Sequence, residues 1–180
     1  QSGAALVIAL MILVIISIVG LTALRSSVFN TKISTMNQAS TMSFQGAETA
    51  IAAVFDEAVN QSFKTPGHVV SYAVAELGFG NNVVINRCVT HGNLYLQRAC
   101  TNNDFVDSRG LVQAGSRTMV KPTPRLKLNE VITDNTGGST TIRYYDFVTV
   151  ADAYVPVMKM SSFNVQEFTT EALSTGGPEH

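Results

Sequence analysis

From Ala4 to Leu24 the sequence has no charged residue, and from Arg25 to Asn60 it has no proline. The first absence excludes a solvated loop or a one-sided surface helix over those twenty-one positions. The second leaves no strong breaker in the stretch that follows. Neither sign of charge is in excess, since the formal net charge is −1 and the pI near 6.3; a phosphate-binding surface would need a basic excess, so nucleic acid is not an expected partner. Thiols are scarce as well. Cys88 and Cys100 are the two cysteines, and His68 and His91 do not stand at finger-like spacing to them, which argues against a four-ligand zinc site. There is no Gly-x-Ser-x-Gly elbow, no His-Glu-x-x-His and no P-loop. His68 and His91 sit in turn-like contexts and His180 in the tail, so all three are expected to be solvated. The oxygen-rich loop Asn102, Asn103, Asp104, Asp107 lacks the spaced acids, central Gly and terminal Glu of an EF-hand. The expectation is a protein with no catalytic residue, no cofactor and no metal.

What is present is organised around the front of the chain. At 1.5 Å per residue the charge-free run spans about 31 Å, the thickness of a bilayer's hydrocarbon core. Its side chains are apolar all round, with Ser17, Gly20 and Thr22 as the exceptions. Gly20 fits ordinary membrane-helix composition, or a point where a neighbour approaches closely. A signal peptide has an apolar region of about 7 to 15 residues followed by a small-residue cleavage site. Here the run is longer and passes straight into more helix, while the small-residue junction Gly3-Ala4 stands before it. The sequence does not begin with Met, so an upstream leader is expected. Arg25 and Lys32 follow on the expected outer side, mildly against the positive-inside tendency.

Beyond Arg25, apolar positions Val28, Phe29, Ile33, Met36, Ala39, Ala47, Ala50, Ile51, Val54 and Phe55 recur at helical steps. Lys32, Asn37, Gln38, Glu48 and Glu57 are assigned to the opposite, solvent face. The helix is expected to end near Asn60 to Ser62, before the breaker Pro66-Gly67. His68 to Phe79 reads as a short helix ending at Gly78, or as a loop with one strand. Val83 to Thr90 and Leu94 to Arg98 read as a hairpin about His91-Gly92-Asn93. Gln113 to Val120, Arg125 to Ile132, Thr141 to Val150 and Met158 to Thr170 read as strands, with a turn at Asp134 to Gly138. The fold class is α+β, a long N-terminal helix laid on an antiparallel β-sheet. The expected boundaries are 1–3 for the end of a leader, 4–24 for a transmembrane half-helix, 25–62 for an amphipathic half, 63–173 for a β-rich domain and 174–180 for a flexible tail.

Eleven residues separate Cys88 from Cys100, a loop that a disulfide closes if their strands lie side by side. In an extracytoplasmic domain a bridge is expected, worth roughly 2 to 4 kcal/mol; the competing arrangement is two buried free thiols. Tyr144, Tyr145, Phe147 and Tyr154 form either a sugar-binding aromatic patch or, by strand alternation, part of the core.

Gly3-Ala4-Ala5-Leu6-Val7-Ile8, then the apolar run, then Ala23-Leu24-Arg25-Ser26-Ser27, and later Phe44-Gln45-Gly46-Ala47-Glu48-Thr49-Ala50, resemble the PilX family of type IV minor pilins. The resemblance covers about the first third of the chain. It implies a pilin-like fold and cleavage by prepilin peptidase between Gly3 and Ala4, with methylation of the new N-terminus. It also implies an inner-membrane anchor with a periplasmic domain, and later packing into a pilus core against other minor pilins and the major pilin. A role in priming assembly near the tip, with a tip adhesin as a further partner, is implied too. One departure stands out: most pilins have Glu five residues after the cleavage point, and here that position is Ile8. A type II secretion tip pseudopilin is the nearest alternative, and a single-pass periplasmic enzyme or sensor is the alternative of another class.

Overall fold

The computed structural model describes residues 2–133 and 139–174. Helix α1 runs from Ser2 to Asn60 and helix α2 from Val69 to Gly78. Six strands follow: β1 (Ile85–Thr90), β2 (Asn93–Leu96), β3 (Gln113–Val120), β4 (Arg125–Thr133), β5 (Ser139–Val155) and β6 (Met160–Ser174). The chain divides into two compact units, residues 1–39 and 40–180. The expected turn at Asp134 to Gly138, the tail beyond Ser174 and His180 lie outside the described residues.

All six strands belong to one antiparallel sheet. β5 is its spine. Along one edge β5 pairs with β6 from Thr141↔Ser174 to Val155↔Met160 without a register break. Its other edge is shared. β3 takes the C-terminal half, from Val120↔Phe147 to Gln113↔Tyr154, and β4 takes the N-terminal half, with Arg125↔Tyr144. β3 and β4 therefore follow a single path, interrupted where Pro122 and Pro124 cannot donate to the ladder. β1 adds to β3, and β2 to β1 through a tight turn in which the Thr90 hydroxyl both donates to the Asn93 carbonyl and accepts from its N–H. Both long strands exceed their expected ranges. β6 starts at Met160 and not Met158 because Pro156 opens a short 3₁₀ turn, and it runs on to Ser174, the residue expected to begin the tail.

The back of α1 covers this sheet. Ala47, Ala50, Ile51 and Ala53 pack with Val89, Val112, Ala114, Ala151, Ala153 and Val155. Val54 and Ala58 join α2, Ile85, Val120, Tyr145 and Phe147 in the adjoining core. Small residues let the helix approach closely: a Cβ added to Gly46 would lie 2.7 Å from Val112 Cγ1 and 2.9 Å from Ala153 Cβ. α1 also runs along β6, where the Ser43 and Ser162 hydroxyls are 2.7 Å apart, Asn164 donates to Glu48, and the Phe55 and Phe168 rings lie 4.9 Å apart.

Two expectations about α1 are corrected here. Burial begins at Ala39, whereas Val28, Phe29, Ile33 and Met36 are exposed; periodicity marks a face that needs covering but not what covers it. Glu57, assigned to the solvent face, is buried.

Candidate functional site

In the front unit every large apolar side chain from Leu6 to Leu24 is exposed, between 50% at Val14 and 68% at Leu24. The mean hydropathy reaches 3.0 over an eighteen-residue window, long and apolar enough to cross a membrane. Its few polar groups are satisfied within the helix: Ser17 donates to the Leu13 carbonyl at 2.7 Å and Thr22 to the Val19 carbonyl at 2.8 Å. Gly3 and Ala4 stand in the first turn of α1, which has no acidic residue. Ile8 follows one turn later with its side chain exposed. Leaving a Leu or Ile in water forgoes roughly 1.5 to 3 kcal/mol per side chain. This surface is therefore stable only in lipid or against the apolar faces of other helices.

The expected bridge between Cys88 and Cys100 is present, with 5.0 Å between the Cα atoms. It ties the chain beyond β2 to the middle of β1. Next to it the acidic loop holds itself together. Asp104 accepts two bonds from the Arg98 guanidinium, at 2.6 and 2.9 Å, and two from Thr101. Those donors, Arg98 first, hold its carboxyl well below the usual range. Burial pushes Asp107 up, but the N–H groups of Val112, Leu111 and Arg109 together outweigh it and hold this carboxyl low too. These carboxylates are engaged as structural acceptors, and no group of three or more His, Cys, Asp or Glu suited to a metal occurs among the described residues. The aromatic set is split: Tyr145 and Phe147 are in the core, Tyr144 is half-buried and Tyr154 is exposed.

A protein-family model described as PilX N-terminal matches residues 2–52. Over those residues the chain is similar to PilX-like type IV pilins. No curated protein and no solved structure matches the chain. The matched residues take in the whole exposed front of α1 and the first part of its packed half. The apolar helix also fits a membrane-anchored pilin.

The residues that fasten the back of α1 to the sheet escaped sequence reasoning. Arg87 on β1 grips Glu57 with two bonds of 2.7 Å and reaches the Gly67 carbonyl at 2.5 Å. Glu57 also accepts the Val69 N–H at 2.9 Å. His68, expected to be solvated, is fully buried. Its Nδ1 accepts the N–H groups of Val70 and Ser71 and so caps α2, which leaves Nε2 carrying the proton it donates to the Glu57 carbonyl at 2.9 Å. A charged pair this deep is tolerable because nearly every donor and acceptor finds a partner. One cluster thus joins the end of α1, the Pro66-Gly67 turn, the start of α2 and the sheet.

Proposed function

We propose that this chain is a minor pilin that helps to prime type IV pilus assembly, in a complex with other minor pilins near the filament tip. The observation that carries the proposal is the charge-free front of α1, exposed on all sides, lying inside the residues that match the PilX N-terminal model. Such a helix serves as an anchor in the inner membrane before assembly and as a packing surface against other pilin helices afterwards. Residues 1–3 are then the end of a leader, cut by prepilin peptidase between Gly3 and Ala4, and the amine of Ala4 is methylated. Residues 4–24 span the membrane, and the sheet domain stands in the periplasm. Ile8 supports the tip assignment. A carboxylate in hydrocarbon costs about 2.5 to 3.5 kcal/mol unless paired, and a subunit with no neighbour's terminal amine to meet does without one.

Deleting the gene should reduce surface pili and twitching, and restoring the chain should rescue both. Normal piliation and motility in the deletion would sink the proposal. Mass spectrometry of the mature protein should find a methylated N-terminus at Ala4. Ile8 also suits a type II secretion tip pseudopilin, and loss of protein secretion with pili intact would favour that reading.

A further inference from the structure

A hollow of about 330 Å³ opens on the sheet face turned away from α1. Its floor is Gly115, where a Cβ would lie 3.1 Å from both the Arg87 carbonyl oxygen and Cys100 Sγ. One wall is the segment from Ala99 to Asn102, fastened there by the disulfide. Sheet register places Asn86 opposite Arg117, Gly115 opposite Asp152 and Gln113 opposite Tyr154. These positions alternate with the buried Ala114, Ser116 and Thr118, so they share the outer face. Gln113 is pinned by a 2.7 Å bond to the Asn102 carbonyl, and Arg117 pairs with Asp152 at 3.2 Å.

We propose that this hollow binds a neutral pyranose sugar. A pyranose ring has an apolar C–H face and a rim of hydroxyls that both donate and accept. Tyr154 offers an exposed ring for the first. The amides of Asn86, Asn102 and Gln113, with the Arg117–Asp152 pair, offer planar donors and acceptors for the second. A small set of convergent polar groups in a preformed concavity is the usual form of a small-ligand site. Because Arg117 and Asp152 compensate each other, neither an acidic sugar nor a cation gains from net charge. A peptide strand is a poor fit, since β1, β3 and β5 are each paired on both sides here and leave no free edge for strand addition.

The test uses the full chain in lauryldimethylamine oxide micelles, a detergent that carries no sugar. Saturation-transfer NMR is run with lactose, standing for galactose-ended surface glycans, with chitotriose, standing for N-acetylglucosamine polymers of cell walls, and with glucuronic acid. At least one neutral sugar should show transfer with a Kd of about 1 mM, in the range of weak single-site ligands. Tyr154→Ala should weaken it at least about tenfold, near 1.4 kcal/mol, while Tyr154→Phe keeps it within about threefold. Asp152→Asn frees Arg117 and should move preference toward glucuronic acid. No transfer to either neutral sugar, transfer unaltered by Tyr154→Ala, or a wild-type preference for glucuronic acid would each overturn the proposal. Matching thermal midpoints between variants and wild type exclude unfolding as the cause.

Discussion

Gly20 and Gly46 lie in one continuous helix, yet they meet different surroundings. Around Gly20 nothing among the described residues stands within 4 Å of where a side chain would begin. At Gly46 a Cβ would collide with Val112 and Ala153. The front of α1 leaves its apolar side chains exposed, whereas the back covers its own in the sheet. One secondary structure thus carries two kinds of specification: an all-round apolar composition that any hydrocarbon-like neighbour satisfies, and a fitted face of small residues that only this sheet satisfies. On the proposed function, a subunit that leaves the membrane for a filament needs the first kind at its front and the second beneath its domain.

The comparison is testable because all five tyrosines, Tyr72, Tyr95, Tyr144, Tyr145 and Tyr154, belong to the second unit and there is no tryptophan. Near-UV circular dichroism of the full chain in micelles therefore reports the domain's tertiary packing. The largest effect is expected from Glu57→Ala, which strands a buried Arg87 and removes acceptors from two elements. A loss of about 3 to 5 kcal/mol follows from breaking a buried pair on one side, and Arg87→Ala should do the same. A thermal midpoint within a degree or two of wild type would show that the cluster does not fasten the helix. Gly46→Ala comes next. Overpacking against Val112 and Ala153 costs about 1 to 3 kcal/mol, offset by about 1 kcal/mol of helix propensity, so net destabilisation is expected. An increase in midpoint would mean that helix and sheet separate easily.

Much of this division could be read beforehand, and the misses have physical causes. The apolar helix followed from Leu6 to Leu24 because all-round apolarity needs no partner to be recognised. β3 matched its expected range because a strand flanked by loops reveals its own alternation. Glu57 was misplaced although it falls seven residues after Ala50 and three after Val54, both on the buried stripe; its charge was weighed above its spacing, and a partner thirty residues away on β1 has no local signature. His68 was correctly placed beside a turn, but His is not among the usual N-cap residues Ser, Thr, Asp and Asn, so its burial gave no signal. The common path of β3 and β4 along β5 depends on long-range pairing, which composition does not encode.

A smaller effect separates the regions by pH. Asp104 is held below its ordinary value by Arg98 and then Thr101. Asp146 is held low by Thr169 and Arg125. A group whose folded pKa is depressed stabilises fully above its unfolded value, about 3.9 for Asp, and loses that contribution as pH falls toward the folded value. The domain's midpoint should hold from pH 7 to about pH 5 and fall below about pH 4. Asp104→Asn should melt lower at pH 7 and decline less steeply with acid. An identical slope in the variant would remove Asp104 from the account.

The smallest expected effect is the most discriminating. Gly20→Ala adds a methyl group where no atom of the described residues beyond its own helix lies within 4 Å, and Phe29→Ser removes an exposed ring from the same unit. Neither is one of the residues that cover the sheet, so each should leave domain stability within about 0.5 kcal/mol of wild type, as for substitutions away from packed features. Both alter the exposed surface that the proposed function assigns to other helices, so their effect should surface in piliation and not in melting. A midpoint shift as large as that of Gly46→Ala would show that packing in residues 40–180 depends on the front unit. The helix would then carry one kind of specification throughout.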